Sequence, residues 1–99
     1  MTENMTTASV ANEGPAPIKI LVLQRGWVAI GRYVQIGAEH VLTDASIIRR
    51  WGTTKGLGQL AKDGPTSSTV LDATGTVRAH ELATVLVIDA DTAVWADRL

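Results

Sequence analysis

Between Ile47 and Lys55 the chain reads IIRRWGTTK. Two guanidinium groups, an indole, two hydroxyls and an ammonium crowd into the seven residues from Arg49 to Lys55. Arginine presents a rigid, always-charged fork of donors that fits phosphate with two parallel bonds. An indole face stacks on a base or on a guanidinium. A helix starting just after this segment would add unpaired N–H groups and a partial positive charge. These are the parts of a nucleotide-phosphate pocket, with Arg49, Arg50, Trp51, Thr53, Thr54 and Lys55 as its members. Arg25 and Trp27 form an earlier Arg–Trp pair and complete the candidate ligand-binding set. A plainer reading competes: Trp51 belongs to the core, and Arg49 and Arg50 alternate to opposite faces of a strand, so only one enters any pocket. If Ile48 and Trp51 both face the core, the strand twists between them and Arg50 lies nearer the helix start.

Other chemistry is thinly supplied. The chain has no cysteine and two histidines, His40 and His80. That excludes disulfides, thiolate metal sites and a three-histidine centre. Neither histidine has a partner at a recognisable catalytic spacing, and both read as structural or solvated. Asp89 and Asp91 read as solvated residues of a strand end. Gly56 to Ala61 (GLGQLA) matches G-x-G-x-x-A, but the βαβ unit that gives this motif its meaning does not follow. No P-loop spacing is present. The expectation is a protein without catalytic residues, metal or cofactor.

The 99 residues allow one modest core. Composition is ordinary for a globular chain, with 45% hydrophobic and 19% charged residues. Charge is uneven. Lys19, Arg25, Arg32, Arg49, Arg50, Lys55 and Lys62 face only Glu39 and Asp44 over positions 19–62, a surplus of five positive charges. Over positions 63–99 six acids face Arg78 and Arg98, a surplus of four negative charges. This segregation fits an anion site, self-association, or strands that pair opposite charges across a sheet. The net charge of -1 and four aromatic residues weigh against binding long nucleic acid. No apolar run reaches the ~20 residues of a membrane span, and no signal-peptide layout opens the chain, so a cytoplasmic protein is expected.

Residues 1–17, rich in Thr, Ala, Asn, Glu and Pro, read as a flexible tail. Residues 18–99 then form a single small domain. IKILVL (Ile18 to Leu23) and WVAIGRYVQI (Trp27 to Ile36) read as strands, with Gly31 marking a bulge or a close backbone approach. Gly37-Ala38-Glu39 is a turn into a third strand that starts at His40 and continues through Ala45 to Trp51. Gly52 to Ala61 is the one plausible helix, capped by Thr53 or Thr54, with Leu57, Leu60 and Ala61 on its apolar face. Thr69 to Leu71 and Thr76 to Arg78 read as short strands about a turn at Asp72 to Gly75. Leu82 to Asp89 reads as a long buried strand, and Trp95 anchors the closing segment. The pattern predicts a mainly β fold: a small, curved, partly open β-barrel or roll, SH3-like, with one short helix. Edge strands in so small a sheet favour a homo-oligomer.

Ala45 to Gly64 (ASIIRRWGTTKGLGQLAKDG) resembles the central segment of the first-described Thoeris anti-defence family of phage proteins. Ala45, Ile48, Trp51, Leu57, Gln59, Leu60, Ala61 and Gly64 keep that segment's spacing ungapped. Gly26 to Gly31 and Ala83 to Asp89 are similar to its glycine-flanked and last apolar strands. The resemblance implies a β-rich homo-oligomer acting in the host cytoplasm. It would sequester a cyclic nucleotide second messenger, a cyclic ADP-ribose isomer or a cyclic oligonucleotide, without cleaving it. Arg49 and Arg50 stand where the family carries aromatics, and the chain has no phenylalanine. That exchange favours phosphate contacts over base stacking. The alternative from another class is a structural module of a phage that docks onto a protein partner.

Overall fold

The computed structural model describes residues 16–99. Five strands form one antiparallel sheet: β1 (Ile18–Leu23), β2 (Val28–Ile36), β3 (Glu39–Arg50), β4 (Val70–His80) and β5 (Thr84–Asp89). Their order is β4-β3-β2-β1-β5. Two helices, α1 (Leu57–Asp63) and α2 (Thr92–Trp95), accompany the sheet. The protein is mainly β, and its sheet is a curved roll that does not close.

The curl has a local cause. The β2–β3 register shifts between Ile30 and Arg32, and Asp44 on the opposite strand takes a left-handed φ of 50°. Gly31 sits at this bulge. A Cβ there would lie 2.9 Å from the Thr43 carbonyl oxygen and 3.1 Å from the Ala45 Cα, so only glycine lets the two backbones approach. Beyond the bend the sheet rolls onto itself. His40 Nδ1 on β3 reaches Thr84 Oγ1 on β5 at 3.0 Å. Two strands lie between them, and in a flat sheet that step alone would be about 14 Å. The Glu81 N–H donates to the Ala38 carbonyl at 2.7 Å and closes the same corner.

Alternation divides the apolar residues between two faces. Ile18, Ile20, Val28, Ile30 and Ile48 pack with Leu60, Ala61 and Trp95 under the two helices. Leu21, Ala29, Leu42 and Ala45 fill the other face with Tyr33, Ile47 and Val77. Trp95 is fully buried, and its indole Nε1–H donates to the Leu60 carbonyl at 3.0 Å, so the expected anchor ties α2 to α1. Asp91 caps α2, its Oδ1 accepting from the Val94 N–H.

Several expectations need correcting. The tail placed over 1–17 lies, up to residue 15, outside the described residues. Ala16 and Pro17 are bonded to β2, their carbonyls accepting from Arg32 Nη1 and the Tyr33 N–H. No turn forms at Asp72 to Gly75. β4 continues through this stretch, with Gly75 (φ 90°) opposite Ala45 between two register shifts, because β3 offers partners on both sides of the irregularity. The helix begins at Leu57, not Gly52, and its N-cap is Gly56. The strand expected to be buried over Leu82 to Asp89 starts at Thr84 and lies at the sheet edge, with Val85, Leu86 and Val87 exposed. A second helix, four residues long, closes the chain.

Candidate functional site

Antiparallel pairing decides which candidates meet. Ala29 pairs with Ile47, so the start of β2 and the end of β3 share one end of the sheet. Carried two residues further, that register brings Trp27 level with Arg49. Arg25 lies in the 3₁₀ turn before Trp27, in a left-handed conformation (φ 67°) that residues other than glycine seldom adopt. Arg49 and Arg50 end β3, and Trp51 leads into the loop that carries Thr53, Thr54 and Lys55. The candidates split by sequence into two groups therefore gather at one end of the sheet. Both indoles lie at the surface: Trp27 is 59% exposed and Trp51 43%. Trp51 is thus not the core residue of the plainer reading.

The two arginines differ in their surroundings. Arg49 Nε and Nη2 donate to the Asp72 carboxylate of β4 at 2.8 and 3.3 Å. The hydrogen bond and the charge of Asp72 push the Arg49 guanidinium above its ordinary pKa. Its fork is therefore engaged within the protein. Arg50, one residue on, has its backbone level with Val70 and is exposed. Among the described residues it meets no carboxylate, and neither do Arg25 and Lys55.

The threonines build the loop rather than cap a helix. Thr53 Oγ1 donates to the Gly56 carbonyl at 2.8 Å, and Thr54 Oγ1 donates to Gln59 Oε1 at 3.3 Å. Gln59 Oε1 also accepts the Lys55 N–H at 2.8 Å. From the far side, Thr66 and Thr69 donate their hydroxyls to the carbonyls of Gly52 and Trp51. Gly52 packs so closely on Ser68 and Thr69 that a Cβ would fall 2.4 Å from their backbone. With seven residues and a glycine cap, α1 starts too late and too short to add an anion-binding end to this loop. Exposed here are Arg50 at the end of β3, Trp51 and Lys55 on a loop fixed by hydroxyl and amide bonds, and Arg25 and Trp27 in the separate connection before β2.

Sequence reasoning missed Asp72, Thr66 and Thr69, and named Gln59 only as a position of the resemblance. The mixed charge of the two halves was the one signal for Asp72. Its pairing with Arg49, like Lys19–Asp89 and Glu39–Arg78, joins opposite charges from neighbouring strands. The histidines take structural places: His40 bonds Thr84, and His80 Nδ1 accepts from the Leu82 N–H. Among the described residues no cluster of three or more His, Asp or Glu side chains could hold a metal ion, and no helix is long and apolar enough to cross a membrane. The chain matches no protein-family model and no curated protein.

Proposed function

We propose that this protein binds and sequesters a small cyclic nucleotide signal without cleaving it, as a phage anti-defence protein similar to the Thoeris sponges. The signal is a cyclic ADP-ribose isomer or a cyclic oligonucleotide, and the protein works as a homo-oligomer in the host cytoplasm. The observation that supports the reading is the β2–β3 register, which puts the segments carrying Arg25, Trp27, Arg50, Trp51 and Lys55 at one end of the sheet, with both indoles exposed and the three cationic groups without carboxylate partners among the described residues. A desolvated phosphate needs charged donors that the protein has not already neutralised, and a base needs an open aromatic face. Among the positions behind the resemblance, Ala45, Ile48, Leu60 and Ala61 are buried, and Gln59 Oε1 accepts the Lys55 N–H of the loop. Titration calorimetry with a panel of cyclic ADP-ribose isomers and cyclic di- and trinucleotides tests it, together with mass spectrometry of the added ligand after heat release. One ligand is expected to bind and to return chemically unchanged. Failure of every ligand to bind, or recovery of linear ADP-ribose from a cyclic isomer, would refute the reading.

A second reading, a module that docks onto a protein partner, is favoured by one specific observation. The edge strand β5 leaves Val85, Leu86 and Val87 exposed side by side.

A further inference from the structure

The two free edges of the sheet are not equivalent. β4 is protected as an edge strand should be: Asp72 and Arg78 form ion pairs along it, and Gly75 interrupts it. β5 carries one such pair, Asp89 with Lys19 at its end, and none along the rest of its length. From Thr84 to Ile88 it has no charge, no proline and no glycine. Val85 is 61% and Leu86 55% exposed, and Leu82 in the preceding turn is 79% exposed. Its backbone is equally unspent. The Ala90 N–H donates inward to the Ile18 carbonyl at 3.0 Å, so alternation turns the N–H and C=O of Val87 towards the open edge.

We infer that β5 is the interface between two copies of this chain, paired antiparallel across a two-fold axis at Val87 to make one ten-stranded sheet. The inference deepens the assembly half of the function proposed above, and it rests on the edge strand and not on the basic loop.

Chemistry selects a second copy as the occupant. Two strands centred on Val87 exchange both of its hydrogen bonds. Leu86 of each copy comes level with Ile88 of the other, and Ile88 already packs on the core beneath the helices. The core of one copy thereby continues into the next. Charge also fits. Asp89 is held by Lys19 at 3.3 Å within its own copy. In the antiparallel arrangement the two Asp89 residues stand at opposite ends, about 13 Å apart along the strands. A parallel arrangement would stack them on one another. The area is in range. Leu82, Val85, Leu86 and Val87 together expose on the order of 400 Å² per copy, shared between the two faces of the edge strand and the turn before it. Both copies, with the strand backbones, approach the roughly 1,200 Å² at which stable interfaces begin.

Sedimentation velocity on the full chain without nucleotide tests the interface, so the outcome does not depend on the ligand. The parent is expected at twice its 10.5 kDa mass, or at a multiple of that pair. Leu86→Lys, at an exposed position, is expected to halve the mass with an unchanged circular dichroism spectrum. Thr76→Lys on the β4 edge is expected to keep the parent's mass. Because the chain has no cysteine, Val87→Cys gives a direct second readout. Paired residues across such a two-fold have Cα atoms about 5.5 Å apart, within disulfide reach, so mild oxidation is expected to link the copies, while Thr76→Cys stays single. If Leu86→Lys loses its fold, the cysteine variants decide. A parent of 10.5 kDa at ~100 µM (far above typical dimer Kd values), a folded Leu86→Lys variant of undiminished mass, or a Val87→Cys variant that does not link would overturn the inference.

Discussion

Trp95 bears the attachment of both helices to the sheet, and its replacement by phenylalanine separates the two ways it does so. The indole is fully buried, and its Nε1–H donates to the Leu60 carbonyl. That carbonyl also accepts the Gly64 N–H at 3.0 Å. Loss of the indole donor therefore does not orphan the acceptor, and the hydrogen bond itself counts for about 1 kcal/mol. The smaller phenyl ring leaves a gap among Ile18, Leu60 and Ala61, worth about 1–2 kcal/mol more. For a domain of this size each kcal/mol lowers the melting midpoint by roughly 4–8 °C, so Trp95→Phe is expected to melt about 8–24 °C below the parent. Trp95→Ala, at about 3–5 kcal/mol, removes much of a total stability that is itself about 5–15 kcal/mol. Thermal denaturation followed by circular dichroism measures both. Fluorescence adds an independent readout, because Trp27 and Trp51 are exposed and Trp95 alone is buried. Trp95→Phe is expected to lose the blue-shifted part of the emission. A midpoint within about 2 °C of the parent, with the blue-shifted emission retained, would refute the placement of α2 against α1.

Other outcomes follow from the same geometry. Arg50→Ala is expected to weaken nucleotide binding about ten- to a hundredfold by calorimetry, the loss of one charge-assisted phosphate contact. Arg49→Ala is expected to change it little, because Asp72 already holds that fork; equal loss in both variants would contradict the division. Asp72→Asn frees Arg49 and is expected to raise affinity for the same ligand. Gly31→Ala is expected to lower stability by about 1–3 kcal/mol in urea unfolding, since its Cβ meets the Thr43 carbonyl oxygen, the Ala45 Cα and the Leu42 Cβ, none of which can swing away. Asp91→Ala removes the α2 cap and is expected to lower the melting midpoint by roughly 4–8 °C.

Local signals in the sequence were legible where the local physics decided the outcome. Alternation in β2 separated Val28 and Ile30 from Ala29 and Tyr33, and the structure assigns those residues to different cores. Gly31 announced the bulge, and Gly64 ended α1, its N–H donating to the Leu60 carbonyl. Where a distant partner decides, the sequence was silent. Asp72 to Gly75 has the composition of a turn, yet β3 supplies partners for Asp72, Ala73 and Gly75 and the strand continues past the irregularity at Gly75. Thr53 and Thr54 have the composition of caps, yet Gly56 and Gln59 take their hydroxyls first. The apolar run of β5 looked buried because apolar periodicity cannot distinguish a central strand from an unprotected edge.

The adjacent arginines show how the fold turns a symmetric sequence into an asymmetric site. Arg49 and Arg50 are chemically identical, and alternation alone says only that they diverge. The difference arises from the register of β3 with β4. Ile47 pairs with Asp72, so the Arg49 side chain reaches that carboxylate from two residues along the same face. The register shift between Ile48 and Arg50 then sets the Arg50 backbone level with Val70, where among the described residues no acid answers it. Four cross-strand pairs among the described residues consume charge in this way along the sheet, Arg32 with Asp44 being the fourth. The positive surplus of the first half is thereby removed from most of the surface and left concentrated at the β3 end, on a loop whose hydroxyls are spent on its own backbone. An anion arriving there meets cationic groups that owe nothing to a neighbouring acid, and the reorganisation required to bind it is correspondingly small.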